Sequence, residues 1–448
     1  MSDLAGQLDI RIQPDPGSDA APPVRIASSR PLTAARVFAR KPLAAVAGQL
    51  PLLFSICGTA QALAGARACE AALGLAPAPS AQWARTLLLR AETAKEHLWR
   101  LLLDWPQALA GLESVPQWEP PAAQPAPGEA AIAAAMRAFL QLRALLGTAG
   151  DPFLPGADGV EPAPGPVASA CATLTGTAAE QVFGAAPAEW LAATGSAADL
   201  HEWAVAAPTP AAALVRAVTE AGLADLGRSA IGTLPAVGDA GGLLAQLAPP
   251  LAAADADAFI AAPELAGLPV ETTPFARELA RRGLVAELAA AHGNGLLPRL
   301  AALLVELARD AALLAAPWSE DARAPAGVGC VAPQGQGAGT DVRVGLGAAP
   351  AARGLLVHRV GLAPAAVPGA ARVLDYRILA PTEWNFHPAG VVAAGLGGIA
   401  AADIAPPMQG SGSTLRGGAA PARAELEARA RLFVTAVDPC VDYELSVC

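Results

Sequence analysis

From Pro42 to Ala66 the chain carries no charged side chain, the longest such run in its 448 residues. A stretch this apolar has to be buried, either in a bilayer or in a protein core. Gln49, Pro51, Gly58 and Gln61 interrupt it, and a cysteine lies in its second half, in Phe54-Ser55-Ile56-Cys57-Gly58-Thr59-Ala60-Gln61. A lipid-crossing helix tolerates that mixture poorly. The run reads better as a buried strand, a turn and a helix over Thr59–Leu73, with Cys57 at the helix N-terminus. A thiol there meets free N–H groups and the positive end of the helix dipole, which favours the thiolate. The plainer alternative is a small buried hydrophobe, the reading we give to Cys69 within the same helix.

The rest of the chain extends this mostly helical picture. Leu8–Ile12 alternates apolar and polar, Pro14-Asp15-Pro16-Gly17 turns, and Val24-Arg25-Ile26 is its hairpin partner. Ser80 is placed to cap a helix running to about Asp104, a proline- and alanine-rich loop follows over 105–128, and Glu129–Leu146 is helical. Further helices are expected over 177–184, 196–206, 209–226, 240–247, 254–261, 274–291 and 295–315. Cys171, His201 and His292 lack a second ligand at metal spacing and read as structural, and His97, with Glu92 and Glu96 nearby, is also treated as structural. After Ala324 the pattern changes: Asp341–Val344, Gly354–Val360 and Ala371–Leu379 read as strands of a small antiparallel sheet, and Pro421–Val437 as a last helix. The fold class is therefore α+β: a helical core over about 59–316, a hairpin over about 1–30, and a sheet with a terminal helix over about 340–448. The proline-rich stretches over 105–128 and 149–167 read as domain linkers or as long loops within one domain, 1–448, and the family resemblance described below implies the single domain. A net charge of −10 with dispersed arginines argues against nucleic acid. Six cysteines, unevenly spaced, do not make a disulfide framework. The first residues lack a basic-then-apolar leader, so a cytoplasmic location with reduced thiols, and no membrane span, is the expectation.

The chain ends on Asp438-Pro439-Cys440-Val441-Asp442-Tyr443-Glu444-Leu445-Ser446-Val447-Cys448. Together with the Cys57 stretch, this resembles the two cysteine motifs of the nickel–iron hydrogenase large subunit, Arg-x-Cys-Gly-x-Cys and Asp-Pro-Cys-x-x-Cys-x-x-His. Phe38-Ala39-Arg40-Lys41-Pro42 resembles that family's basic-proline turn. Ala352-Arg353-Gly354 is similar to its Pro-Arg-Gly, and Asp375-Tyr376-Arg377-Ile378-Leu379-Ala380-Pro381-Thr382-Glu383-Trp384-Asn385 to its tyrosine strand followed by Pro-Ser/Thr-x-Trp-Asn. Each cysteine motif keeps its first thiol and lacks its second. Ala60 and Tyr443 stand in place of the cysteines that bridge the two metals, and Ser446 replaces the terminal histidine. The glutamates of the family's N-terminal hairpin are missing too, since the first glutamate here is Glu70.

What remains resembles the HupK/HoxV group of hydrogenase assembly proteins. The resemblance implies a non-catalytic scaffold on which an Fe(CN)2(CO) unit is held as transient cargo before transfer to the large subunit, with no nickel. Cys57 and Cys440 would anchor the iron, and Arg353 and Thr382 would donate to the cyanides. Maturation chaperones of the HypC type, HypD and the acceptor large subunit are the implied partners. Cys448 lies beyond the ligand position. A metal-free docking protein and a catalytic subunit are the competing readings.

Overall fold

The computed structural model describes residues 6–13, 23–113, 115, 127–148, 150–235, 240–323, 330–331, 342–364, 370–404 and 419–448. The uncharged run folds as two helices, α1 (Leu43–Leu53) and α2 (Gly58–Leu73), joined through a tight turn at Ser55–Cys57. The strand expected before Cys57 is thus a helix. Alanine and leucine dominate there, and the β-branched residues that favour strands are scarce. α2 is buried over almost its whole circumference and lies on the strand Arg343–Ala351. Small residues on both sides let the two backbones touch: a Cβ at Gly347 would sit 2.2 Å from the Ala68 nitrogen. That close approach gives the alanine and glycine of both segments a packing role.

α3 (Pro79–Trp99) starts on Pro79 with Ala78 at the cap position. Ser80 does not cap it. Its hydroxyl accepts from the Val160 N–H at 3.1 Å and ties down a distant loop. The helix runs on through a wide turn at Arg100–Asp104 into Trp105–Ala110, where a loop was expected. Residues 116–126 of that loop lie outside the described residues. The helix Pro127–Gly147 is long and apolar enough, by length and composition, to cross a membrane. It nevertheless packs on α3 and on Pro164–Ala178, burying Ile132, Phe139, Leu142 and Leu146 and exposing Arg137 and Arg143.

The middle third is helical as expected, with different breaks. The expected 274–291 helix is two, Pro274–Arg281 and Leu284–His292, split where Arg282 and Gly283 take φ of 59° and 113°. The 177–184 helix is the wide-turned end of Pro164–Ala178, and 209–226 stops at Glu220. Leu296–Ala315 runs through the largest apolar cluster and packs on α3. A second cluster joins α1 and α2 to the C-terminal sheet.

That sheet has four antiparallel strands in chain order: Cys330–Val331, Arg343–Ala351, Gly354–Leu362 and Val373–Leu379. Asp341 lies outside the described residues. At the other end, β1 (Leu8–Ile12) and β2 (Val24–Ser28) form the expected hairpin ladder, with Ile10 opposite Ile26, while its turn at Pro14–Gly17 is outside the described residues. This sheet is mixed rather than antiparallel. Beyond the helix Ala419–Val437, the strand Tyr443–Val447 adds to β1 in parallel, Leu445 opposite Ile10. Leu445 and Val447 point into the main core while the alternate residues stay exposed, so burial of one face fixes the register. The chain's two ends are thereby tied together, and the segment Asp438–Asp442 is held between helix and strand.

Candidate functional site

A cavity of about 170 Å³ lies where α2, the C-terminal sheet and the Asp438–Asp442 segment meet, and Cys57, Cys440, Arg353, Thr382 and Arg30 all line it. Four of these were expected from the sequence; Arg30 was not.

Cys57 caps α2, half-buried, with the Gln61 side-chain amide donating to its sulfur at 3.6 Å. The free N–H groups of the helix start are taken by Glu92 of α3, whose carboxylate accepts from Thr59 at 2.7 Å and from Ala60 at 3.0 Å. The thiolate that a helix N-terminus would favour is therefore not what this position provides. Burial, the neighbouring Cys440 sulfur and the Glu92 charge push the Cys57 thiol up to about 12. Burial raises Glu92 as well, against the N–H bonds that favour its charge.

Cys440 follows Asp438-Pro439 at the helix end. Asp438 takes φ of 64°, a left-handed conformation that aspartate tolerates better than most residues. The Thr382 hydroxyl donates to the Cys440 sulfur at 2.8 Å and accepts from the Cys440 N–H at 3.3 Å. Thr382 belongs to the single helical turn Pro381–Asn385, in which each side chain has a separate task. Glu383 accepts from its own cap residue, Ala380, at 3.2 Å and pairs with Arg30 at 2.5 Å. Trp384 is fully buried. Asn385 donates to the Arg353 carbonyl at 3.1 Å and accepts from the Thr272 N–H at 2.9 Å.

Arg353 sits in the turn between Arg343–Ala351 and Gly354–Leu362. Gly354, with φ of 141°, passes so close to Thr272 that a Cβ would lie 2.4 Å from its carbonyl oxygen. A side chain here would meet both strain and collision, which is why arginine is followed by glycine. The guanidinium is buried, with Glu96 of α3 3.0 Å from Nη1. Asp438 lies 3.1 Å from Nε, an ion pair too poorly aligned for a hydrogen bond. Lys95 also pairs with Glu96, and Arg100 with Asp438 at 2.6 Å. Burial disfavours the charge on Arg353, but Asp438, Glu96 and the two sulfurs outweigh it and hold the charge firmly. On Arg30 burial is likewise outweighed, by Glu383, Cys440 and Cys57. Two fixed cations thus face two sulfurs.

The residues standing in for the absent ligands are engaged elsewhere. Ala60 is buried in α2 with its N–H on Glu92, and Tyr443 and Ser446 are locked in the terminal strand opposite Leu8 and Arg11. Cys448, exposed at the strand end, bonds through its N–H to Ile12 and does not line the cavity. Cys69 and Cys171 are packing residues, and His97 pairs with Glu306 at 2.8 Å. Among the described residues, no group of three or more His, Cys, Asp or Glu gathers as a metal cluster. Sequence reasoning missed Arg30, Glu383, Glu96 and Asp438 as parts of the site. The one available signal was Glu92 and Glu96, two carboxylates one turn apart on α3.

No family model matches the sequence. Among curated proteins the chain is 31% identical to the hydrogenase expression/formation protein HoxV of Cupriavidus necator, covering 98% of this chain and 95% of that one. It is 30% identical to the hydrogenase expression/formation protein HupK of Azotobacter vinelandii, covering 99% of each. Of solved structures, an NAD+-reducing NiFe hydrogenase in its H2-reduced state superposes with a TM-score of 0.55 at 17% identity, over 93% of this chain and 92% of that one. The reduced Ni-Fe-Se hydrogenase of D. vulgaris Hildenborough gives 0.57 at 15% identity, over 93% and 92%. At such identity the structures speak to the fold, which is that of the hydrogenase large subunit. With near-complete coverage at this level of identity to its curated relatives, the chain belongs to the HoxV/HupK family of hydrogenase expression/formation proteins.

Proposed function

We propose that the chain is a non-catalytic scaffold in hydrogenase formation that holds an Fe(CN)2(CO) unit in this cavity, then yields it to the hydrogenase large subunit. The observation carrying the reading is that Cys57 and Cys440, almost four hundred residues apart in sequence, line one small cavity together with Arg353 and Arg30. A bare metal ion in proteins takes about four or more ligands. Among the described residues no third ligand group joins the two thiols, which suits a metal that arrives carrying ligands of its own. Thiolates are the soft donors low-spin iron prefers. A cyanide nitrogen buried against the apolar wall would need a charged donor, and the Arg353 guanidinium on the cavity lining is one.

The same features suit release. The Cys57 thiol must lose its proton to bind metal, and regains it readily when the metal leaves. Ala60 and the strand-bound Tyr443 supply no bridging thiolates, so nickel is not expected and neither is catalysis. A donor chaperone of the HypC type with HypD, and the large subunit as acceptor, are the partners this reading requires. A metal-free docking role makes the opposite prediction about the thiols. A Cys57→Ala/Cys440→Ala chain should fail to restore hydrogenase maturation in a strain deleted for the wild-type gene, though it accumulates normally. Full restoration by the double variant would leave docking as the function.

A further inference from the structure

Next to Cys57, starting at Gln61 on the same cavity, runs a row of buried polar groups that the cargo reading does not use. Gln61 donates through Nε2 to the Cys57 sulfur, and its Oε1 lies 2.8 Å from His358 Nε2. His358 Nδ1 lies 2.8 Å from the Tyr376 hydroxyl. All three side chains are at most 2% exposed, so none can turn to water instead. Burial holds His358 neutral, with its pKa down at about 3, so the ring has one N–H to give. Since the Gln61 oxygen can only accept, that proton sits on Nε2. Nδ1 is then an acceptor, and the Tyr376 hydroxyl donates to it. Every bond in the row therefore points the same way, from Tyr376 through His358 and Gln61 to the sulfur. The space for it is provided by Gly65, one turn after Gln61, where a Cβ would stand 2.8 Å from the Tyr376 oxygen. Phe38 closes the far side, its ring edge-on to Tyr376 at 5.3 Å.

We infer that Gln61, His358 and Tyr376 are positioning residues that present one N–H to the Cys57 sulfur and so favour that sulfur as a metal-bound ligand. A metal-bound thiolate is a strong acceptor, and a row of donors polarised in one direction strengthens the last bond. It also orients the ligand, the task outer hydrogen-bond partners perform at metal sites generally. The inference rests on Cys57 being a metal ligand, as proposed above.

Two measurements on the full chain test it, with separate failures. In the metal-free chain labelled with 15N-histidine, His358 should show the Nε2–H tautomer; the Nδ1–H tautomer would overturn the row's direction. With Cd(II) as probe, a soft ion held by the two thiolates with water filling its other positions, Gln61→Met should weaken binding about 10–100-fold and move the sulfur-to-cadmium charge-transfer band to lower energy, because the sulfur has lost its donor. Tyr376→Phe, which removes only the first donor of the row, should move the band the same way by less. A purely structural role would leave the band energy unmoved in both variants, and that result would overturn the inference. A wild-type chain that takes up no cadmium would count against the metal-ligand reading itself, while the tautomer still decides the row.

Discussion

Two buried arginines show how differently one residue type can be used in this molecule. Arg299 is closed on every side. It pairs with Glu271 through both ends of its fork, one contact at 2.9 Å, and donates through Nε to the Asn294 carbonyl at 2.9 Å. Its guanidinium also lies over the rings of Phe275 and Phe433, at 5.6 and 5.5 Å. Arg353 is as deeply buried, but it lines the cavity, and its carboxylates are shared with Lys95 and Arg100. A buried charge thus says little about function until its surroundings are known. Where partners enclose it, the residue holds the fold; where it lines an empty space, it is available to a ligand.

This comparison can be broken by mutation. Arg299→Met would leave Glu271 buried with its charge uncompensated, and should cost about 3–5 kcal/mol in denaturant unfolding, with binding at the cavity of the surviving folded fraction unchanged. Arg353→Met should cost less, on the order of 1–3 kcal/mol, because Glu96 keeps Lys95 and Asp438 keeps Arg100. It should nonetheless abolish retention of the cargo, measured as iron bound after gel filtration. Equal destabilisation by the two variants, or cargo lost with Arg299, would erase the distinction.

A third expectation concerns pH. Since burial raises Cys57 to about 12, its proton must leave on metal binding at any physiological pH, and cadmium affinity should rise about tenfold per pH unit for that proton. A flat profile between pH 6 and 8 in a titration by ultraviolet absorbance would mean the thiol is already ionised. The smallest effect belongs to Cys448→Ser. Exposed and outside the cavity, Cys448 should change neither binding nor, beyond about 0.5 kcal/mol, stability.

Cys57, Arg353, Thr382 and Cys440 stand in short motifs whose residue order is itself the signal, and the structure places all four on one cavity. The partners that fix them were not legible, because they come from far away in the chain: Arg30 meets Glu383, and Glu96 of α3 meets Arg353. Pairing of that kind leaves no periodic trace. The fold class followed from hydrophobic pattern, but α1 was mistaken for a strand, since a short apolar run has no period to separate the two. The strand Tyr443–Val447 was missed because its parallel partner, β1, lies at the opposite end of the sequence. Ser80 looked like a cap and instead bonds Val160, showing that a good capping residue one position inside a helix is free for other work.

The central claim is that Cys57 and Cys440 jointly hold a cyanide-bearing iron. It is tested most directly by an infrared spectrum of the chain purified together with the hydrogenase maturation proteins. The account predicts cyanide and carbonyl stretching bands in the wild type and in Cys448→Ser, and none in Cys57→Ala or Cys440→Ala. Bands that survive in either alanine variant, or a wild-type spectrum without them, would contradict it.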